Sequence, residues 1–131
     1  MKYRYQYDGH TSNGVLPAAR RVFHKLGQIK RIEAKRYNPY LKSSDGRYRV
    51  TGREAIRIIG NNGTALFSGV SWGYAGSGPR AAEALLLMAG VPRSVTDHLV
   101  YKRPRTDETG IDWYVTFGPK GCECDWKAVQ G

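Results

Sequence analysis

Residues 2–7, KYRYQY, alternate polar side chains with tyrosine, putting the rings on one face of an extended segment and Lys2, Arg4 and Gln6 on the other. That is strand spacing. DGHTSNG follows as turn material, and from Val15 the period changes. Val15, Ala19, Val22, Phe23 and Leu26 recur at helical intervals, Pro17 suits a first turn, and Gly27 suits a helix stop. In QIKRIEAKRYNPY the pair Ile29 and Ile32 fits a continuing helix, which the NPY triplet would break. RYRVTG, EAIRIIG and TALFSGVSW read as strands, and Asn62-Gly63 between two of them is a hairpin signal.

The second half is punctuated by glycine and proline. WGYAGSGPR, residues 72–80, delivers the chain into an Ala/Leu-rich helix predicted from Pro79 to about Ala89 and apolar on most sides. Gly90 ends it. VPRSVTDHLV predicts another short helix, with Ser94 and Asp97 spaced as a variant of the capping box. IDWYVTF is a last strand, and residues 121–131 read as a tail. The expectation is one α+β domain over residues 1–131, an antiparallel sheet with two or three helices on one face.

Charge divides this domain in two. Residues 1–60 carry fourteen Lys/Arg against four Asp/Glu, whereas residues 61–131 carry seven of each, so the whole net charge of +10 lies in the first half. A basic half-domain implies an anionic partner: a nucleotide, a nucleic acid or an acidic surface. Arg20 and Arg21, with His24 and Lys25, form a stripe opposite the apolar face of the first helix, which is also where a solvated face would lie. Further on, Lys35, Arg36, Arg47 and Arg49 interleave with tyrosines, the composition of a surface that meets phosphates with cations and bases with flat rings.

Within WGYAGSGPR, Pro79 at the first helical position would make Gly78 the N-cap and leave the amides of Arg80 and Ala81 among the unpaired donors of the first turn. Such donors and the positive end of the helix dipole favour an anion. Gly76 and Gly78 would admit a ligand close to the backbone, Ser77 adds a hydroxyl, Arg80 a cation, and Trp72 or Tyr74 a ring for stacking on a base. The phosphate-loop lysine and the G-x-G-x-x-G spacing are both missing. The other reading of the same residues is a plain strand-to-helix turn with Trp72 as a core plug.

SGVSWGYAGSGPRAAEALL resembles the W-G-Y-x-G-[ST]-G-P segment of a group of small uncharacterised proteins of bacteria and their phages, over about residues 67–87. The resemblance implies a provenance in which sequestering a nucleotide signal or blocking a defence nucleoprotein would be a role, and it implies no particular chemistry.

No nucleophile, acid and base fall together, so no catalytic residues are assigned. Cys122 and Cys124 cannot by themselves close a four-ligand metal site, and neither metal nor cofactor is expected. No apolar run is long enough to span a bilayer, and the first ten residues lack the apolar stretch of a secretory signal, so a cytoplasmic location is expected. The leading expectation is a non-enzymatic binder of a phosphate-bearing ligand, a nucleotide or nucleotide-derived signal, held by the loop together with first-half arginines, within one chain or across an oligomer interface. The second is a nucleic-acid-binding or nucleoprotein-blocking protein using the basic first half, and an enzyme acting on a nucleotide is the third.

Overall fold

The computed structural model describes residues 2–7, 12–36, 40–42, 48–50, 54–102, 110–119 and 121–123; residues 36, 40–42, 48–50, 110 and 123 enter through their strand pairing only. Strands β1 (Tyr3–Tyr7), β2 (Ile29–Arg36), β5 (Glu54–Gly60), β6 (Gly63–Phe67), β7 (Gly110–Gly118) and β8 (Gly121–Glu123) form one sheet in the order β1-β6-β5-β2-β7-β8. β3 (Tyr40–Lys42) and β4 (Tyr48–Val50) form a separate antiparallel pair. The sheet is antiparallel as expected, except that β1 lies parallel to β6.

Helix α1 (Val15–Leu26) follows a short 3-10 turn, and α2 (Ser77–Met88) precedes α3 (Arg93–Asp97), which runs into a π-helical turn over His98–Lys102. All pack on the same sheet face, because strand alternation sends Ile32, Ala34, Ile56, Ile58, Ala65, Phe67, Trp113 and Val115 to that side. There they meet Val15, Ala18, Ala19, Val22 and Leu26 of α1 and Ala82, Leu85 and Leu86 of α2. The α1 spacing therefore predicts its buried stripe correctly. Gly27, with φ +73°, ends the helix, and the Asn62 amide donates to the Leu26 carbonyl, so the β5–β6 turn caps α1.

Four expectations change. Ile29 and Ile32 belong to a strand rather than a helix. A register shift between Ile29 and Arg31 inserts an extra residue, so two side chains three apart face the same side. The predicted strand TALFSGVSW stops at Phe67. α3 begins after Pro92, and no side chain caps it, so Ser94 and Asp97 make no capping box. The segment read as a tail begins with β8, where Cys122 pairs with Phe117 and packs against the core.

Candidate functional site

The glycine-rich loop is fastened at several points. The Trp72 indole is buried, and its Nε1 donates to Asp112 Oδ2 at 2.8 Å; the ring meets Trp113 edge-on with centroids 5.7 Å apart. Ser71 Oγ donates to Glu54 Oε2 at 2.9 Å, and the Gly73 amide donates to the Val100 carbonyl. The loop thus sits where β5 and β7 begin, on the helix side of the sheet.

Helix α2 starts two residues before the predicted position. Gly76 is the N-cap and its carbonyl accepts from the Arg80 amide at 3.1 Å, making Ser77, Gly78 and Pro79 the first turn. Proline lacks an amide hydrogen, so it fits any first-turn position, and its presence alone does not set the helix start. This corrects Gly78 as N-cap and the Arg80 amide as an unpaired donor. Only Ser77 and Gly78 keep first-turn amides without an intrahelical acceptor.

The two glycines serve packing. A Cβ on Gly78 would lie 2.9 Å from Ser71 Cβ and 3.5 Å from the Tyr74 hydroxyl; a Cβ on Gly76 would lie 3.0 Å from the Tyr74 ring. The protein's own side chains fill the space that a ligand would need. Trp72, at 1% exposure, cannot stack on a base, which corrects that assignment, whereas Tyr74 is 44% exposed. Ser77 and Arg80 are exposed. The charge of Arg80 reaches Tyr101, whose phenol is pushed up to about 12 by burial and by its hydrogen bond to the Glu83 carboxylate.

The predicted cations separate. Arg20, Arg21 and Lys25 are exposed on α1, where Lys25 Nζ stands 5.2 Å from the centroid of the Tyr3 ring. Lys35 lies on the sheet face away from the helices. Arg36 and Arg49 are placed by backbone pairing alone, with Glu54 and Leu41 respectively, and Arg47 lies outside the described residues. No described hydrogen bond or ion pair joins any of these to residues 72–80.

The feature that the residue pattern did not single out is the sheet face that no described helix covers. Register aligns two cross-strand rows on it. One is Arg4, Thr64, Ile59, Arg31 and Thr116; the other is Gln6, Leu66, Arg57, Glu33 and Tyr114. Beyond them stand Ala55, Lys35 and Ile111, the last 43% exposed. The Arg31 guanidinium stacks over the Tyr114 ring at 4.0 Å, and its Nε donates to Glu33 Oε2 at 2.8 Å. Glu33 Oε1 also faces Arg57 at 3.8 Å, so one largely buried carboxylate orients two guanidinium groups. Arg4 has no carboxylate partner among the described residues. Arg4, Tyr5, Gln6, Arg57, Ile59, Thr64 and Leu66 line an open basin of about 480 Å³.

The signal for this face was the same alternation that marked β1: Arg4 and Gln6, Arg31 and Lys35, and Arg57 each stand one step out of phase with the core residues of their strands. Among the described residues no group of three or more His, Cys, Asp or Glu side chains sits where it could hold a metal. Compared with protein-family models, curated proteins and solved structures, the chain matches none.

Proposed function

We propose that this is a non-enzymatic nucleic-acid-binding protein that engages phosphates with the sheet face that no described helix covers. One observation carries the reading: Arg4, Arg31, Lys35 and Arg57 share that face, where the acidic positions among the described residues are Glu33 and, by its pairing with Thr116 on the far edge strand, Glu123. Clustered cations on one face supply the sequence-independent attraction to a phosphodiester chain, and arginine adds forked hydrogen bonding to phosphate oxygens. Four of the fourteen first-half cations thereby share one surface, on β1, β2 and β5.

The test is fluorescence anisotropy with labelled oligonucleotides across a salt series. Affinity should fall with salt, with a log-log slope of about 0.7 for each phosphate neutralised on a single strand. Arg4→Ala and Arg57→Ala should each weaken binding to all sequences and lower that slope by about one contact. Arg20→Gln with Arg21→Gln on α1 should change it little. Loss of binding from the α1 pair, with none from Arg4 or Arg57, would overturn the assignment to the sheet face.

A second reading, a nucleotide or nucleotide-derived signal at residues 72–80, is supported by the first-turn amides of Ser77 and Gly78 beside the exposed Arg80 and Tyr74. It has less room, because Tyr74 packs over both glycines. Its role would be the sequestration suggested by the loop's resemblance to small phage proteins. A mononucleotide that raises the melting temperature in the parent protein and not in Arg80→Ala would favour this reading over the first.

A further inference from the structure

From the basin between β1, β6 and β5 we infer that the sheet face seats an unpaired nucleobase, which makes the protein selective for single strands over duplex. The inference rests on the nucleic-acid reading above and adds what that reading leaves open.

Phosphate contacts alone would ask only for an exposed cationic surface. This one also has a concavity with an apolar floor. Leu66 stands opposite Arg57 on the neighbouring strand, and Ile59 stands opposite Thr64, so two half-buried aliphatic side chains lie side by side in the basin. Arg4 stands beside Thr64, and Gln6 beside Leu66, on the outer strand. Polar groups therefore rim an aliphatic base on two sides. The volume, about 480 Å³, falls in the range of small-ligand pockets and suits a flat heterocycle with part of its sugar.

The two arginines differ in what they can do. Arg57 is drawn towards Glu33, which restrains its guanidinium at the wall of the basin, where a planar cation can lie against a ring or meet a base edge. Arg4 lacks a carboxylate partner among the described residues and is left to meet the adjoining phosphate. One strand beyond Arg57, Arg31 is stacked on Tyr114, a second flat surface in line with the first. Strand spacing of about 4.8 Å puts Arg4 and Arg31 roughly 14 Å apart in the same row, a span suited to a short extended strand. In a duplex the bases are paired and stacked inside, and the aliphatic floor would stay wet. Single strands can splay a base onto such a platform. An acidic peptide could satisfy the arginines but would bring no flat ring to Ile59 and Leu66.

The experiment measures affinities of the full chain at fixed salt for a single strand of about eight nucleotides, its duplex, an abasic strand of the same length and polyglutamate. The single strand should bind about ten-fold or more tighter than the duplex or the abasic chain. Leu66→Ala, a change at a half-buried position, should reduce that advantage several-fold while leaving duplex binding nearly unchanged. Equal affinity for single strand, duplex and abasic chain would overturn the base seat and leave the phosphate-binding face standing. Binding to polyglutamate and to no nucleic acid would overturn both.

Discussion

The indole Nε1 of Trp72 donates to Asp112 Oδ2 at 2.8 Å, with both residues buried. This bond ties the glycine-rich loop to the last long strand and explains why the tryptophan points inward. Asp112→Ala would strand a buried donor and should lower stability by about 1–3 kcal/mol, whereas Asp112→Asn keeps an acceptor within reach and should cost less. Denaturant midpoints of the two variants check the order.

Gly76 and Gly78 should respond differently to alanine. The φ of Gly76 is 165°, extended backbone open to any residue, and its new Cβ would press on the Tyr74 ring at 3.0 Å, which can tilt away, and make ordinary contact with Pro79 Cδ at 3.9 Å. Gly78→Ala would press on Ser71 Cβ at 2.9 Å and Ser71 N at 3.2 Å. Overpacking of that kind costs about 1–3 kcal/mol, more than the roughly 0.5–1 kcal/mol that alanine returns in helix propensity. Thermal unfolding should show Gly78→Ala as the destabilised variant and Gly76→Ala as near parental. The reverse order would show that the loop packs otherwise.

Tyr101 gives the fold a dependence on alkaline pH. Burial, and the hydrogen bond it donates to Glu83, push its pKa up from 10.0 to about 12. The folded state therefore holds this proton when the unfolded chain has lost it. Its contribution is fully present below pH 10 and disappears as pH rises through about 12. Tyr101→Phe should be less stable at neutral pH and lose less stability across that window. Tyrosinate absorbance and unfolding midpoints from pH 9 upwards, on the order of half-unit steps, follow both.

Glu33 sets stability against binding. Its carboxylate serves Arg31 and Arg57, so Glu33→Gln removes the counter-charge from two partly exposed guanidinium groups. A stability loss on the order of 1 kcal/mol is expected, since solvent screens those arginines. The same change adds one positive charge to the sheet face and should tighten nucleic-acid binding at low salt, with a steeper salt slope. Weaker binding together with lower stability would mean that the orientation of Arg31 and Arg57 outweighs their charge.

Much of the secondary structure was legible from side-chain period. The alternation in KYRYQY, the α1 stripe, the β5–β6 hairpin and the strand IDWYVTF stand where local spacing puts them; the Ala/Leu helix does too, apart from a start two residues earlier, and β8 follows IDWYVTF where a tail is expected. β2 did not, because a bulge imitates helical spacing over four residues. The candidate loop was legible as a strand-to-helix turn, but its chemistry was not. Whether Trp72 stacks on a ligand or fills the core depends on Asp112 and Trp113, some forty residues away.

The sequence by itself determined the class of fold, the core-facing stripe of α1 and the confinement of the net positive charge to the first sixty residues. Each of these follows from local composition and period. Only the tertiary structure decided which cations share a surface. Strand order and register, set by long-range pairing, bring Arg4 from β1, Arg57 from β5 and Arg31 from β2 onto one sheet face that no described helix covers, separate from Arg20, Arg21 and Lys25 on the helix α1. Alternation says that a side chain points away from the core; the neighbouring strands say what it points away beside.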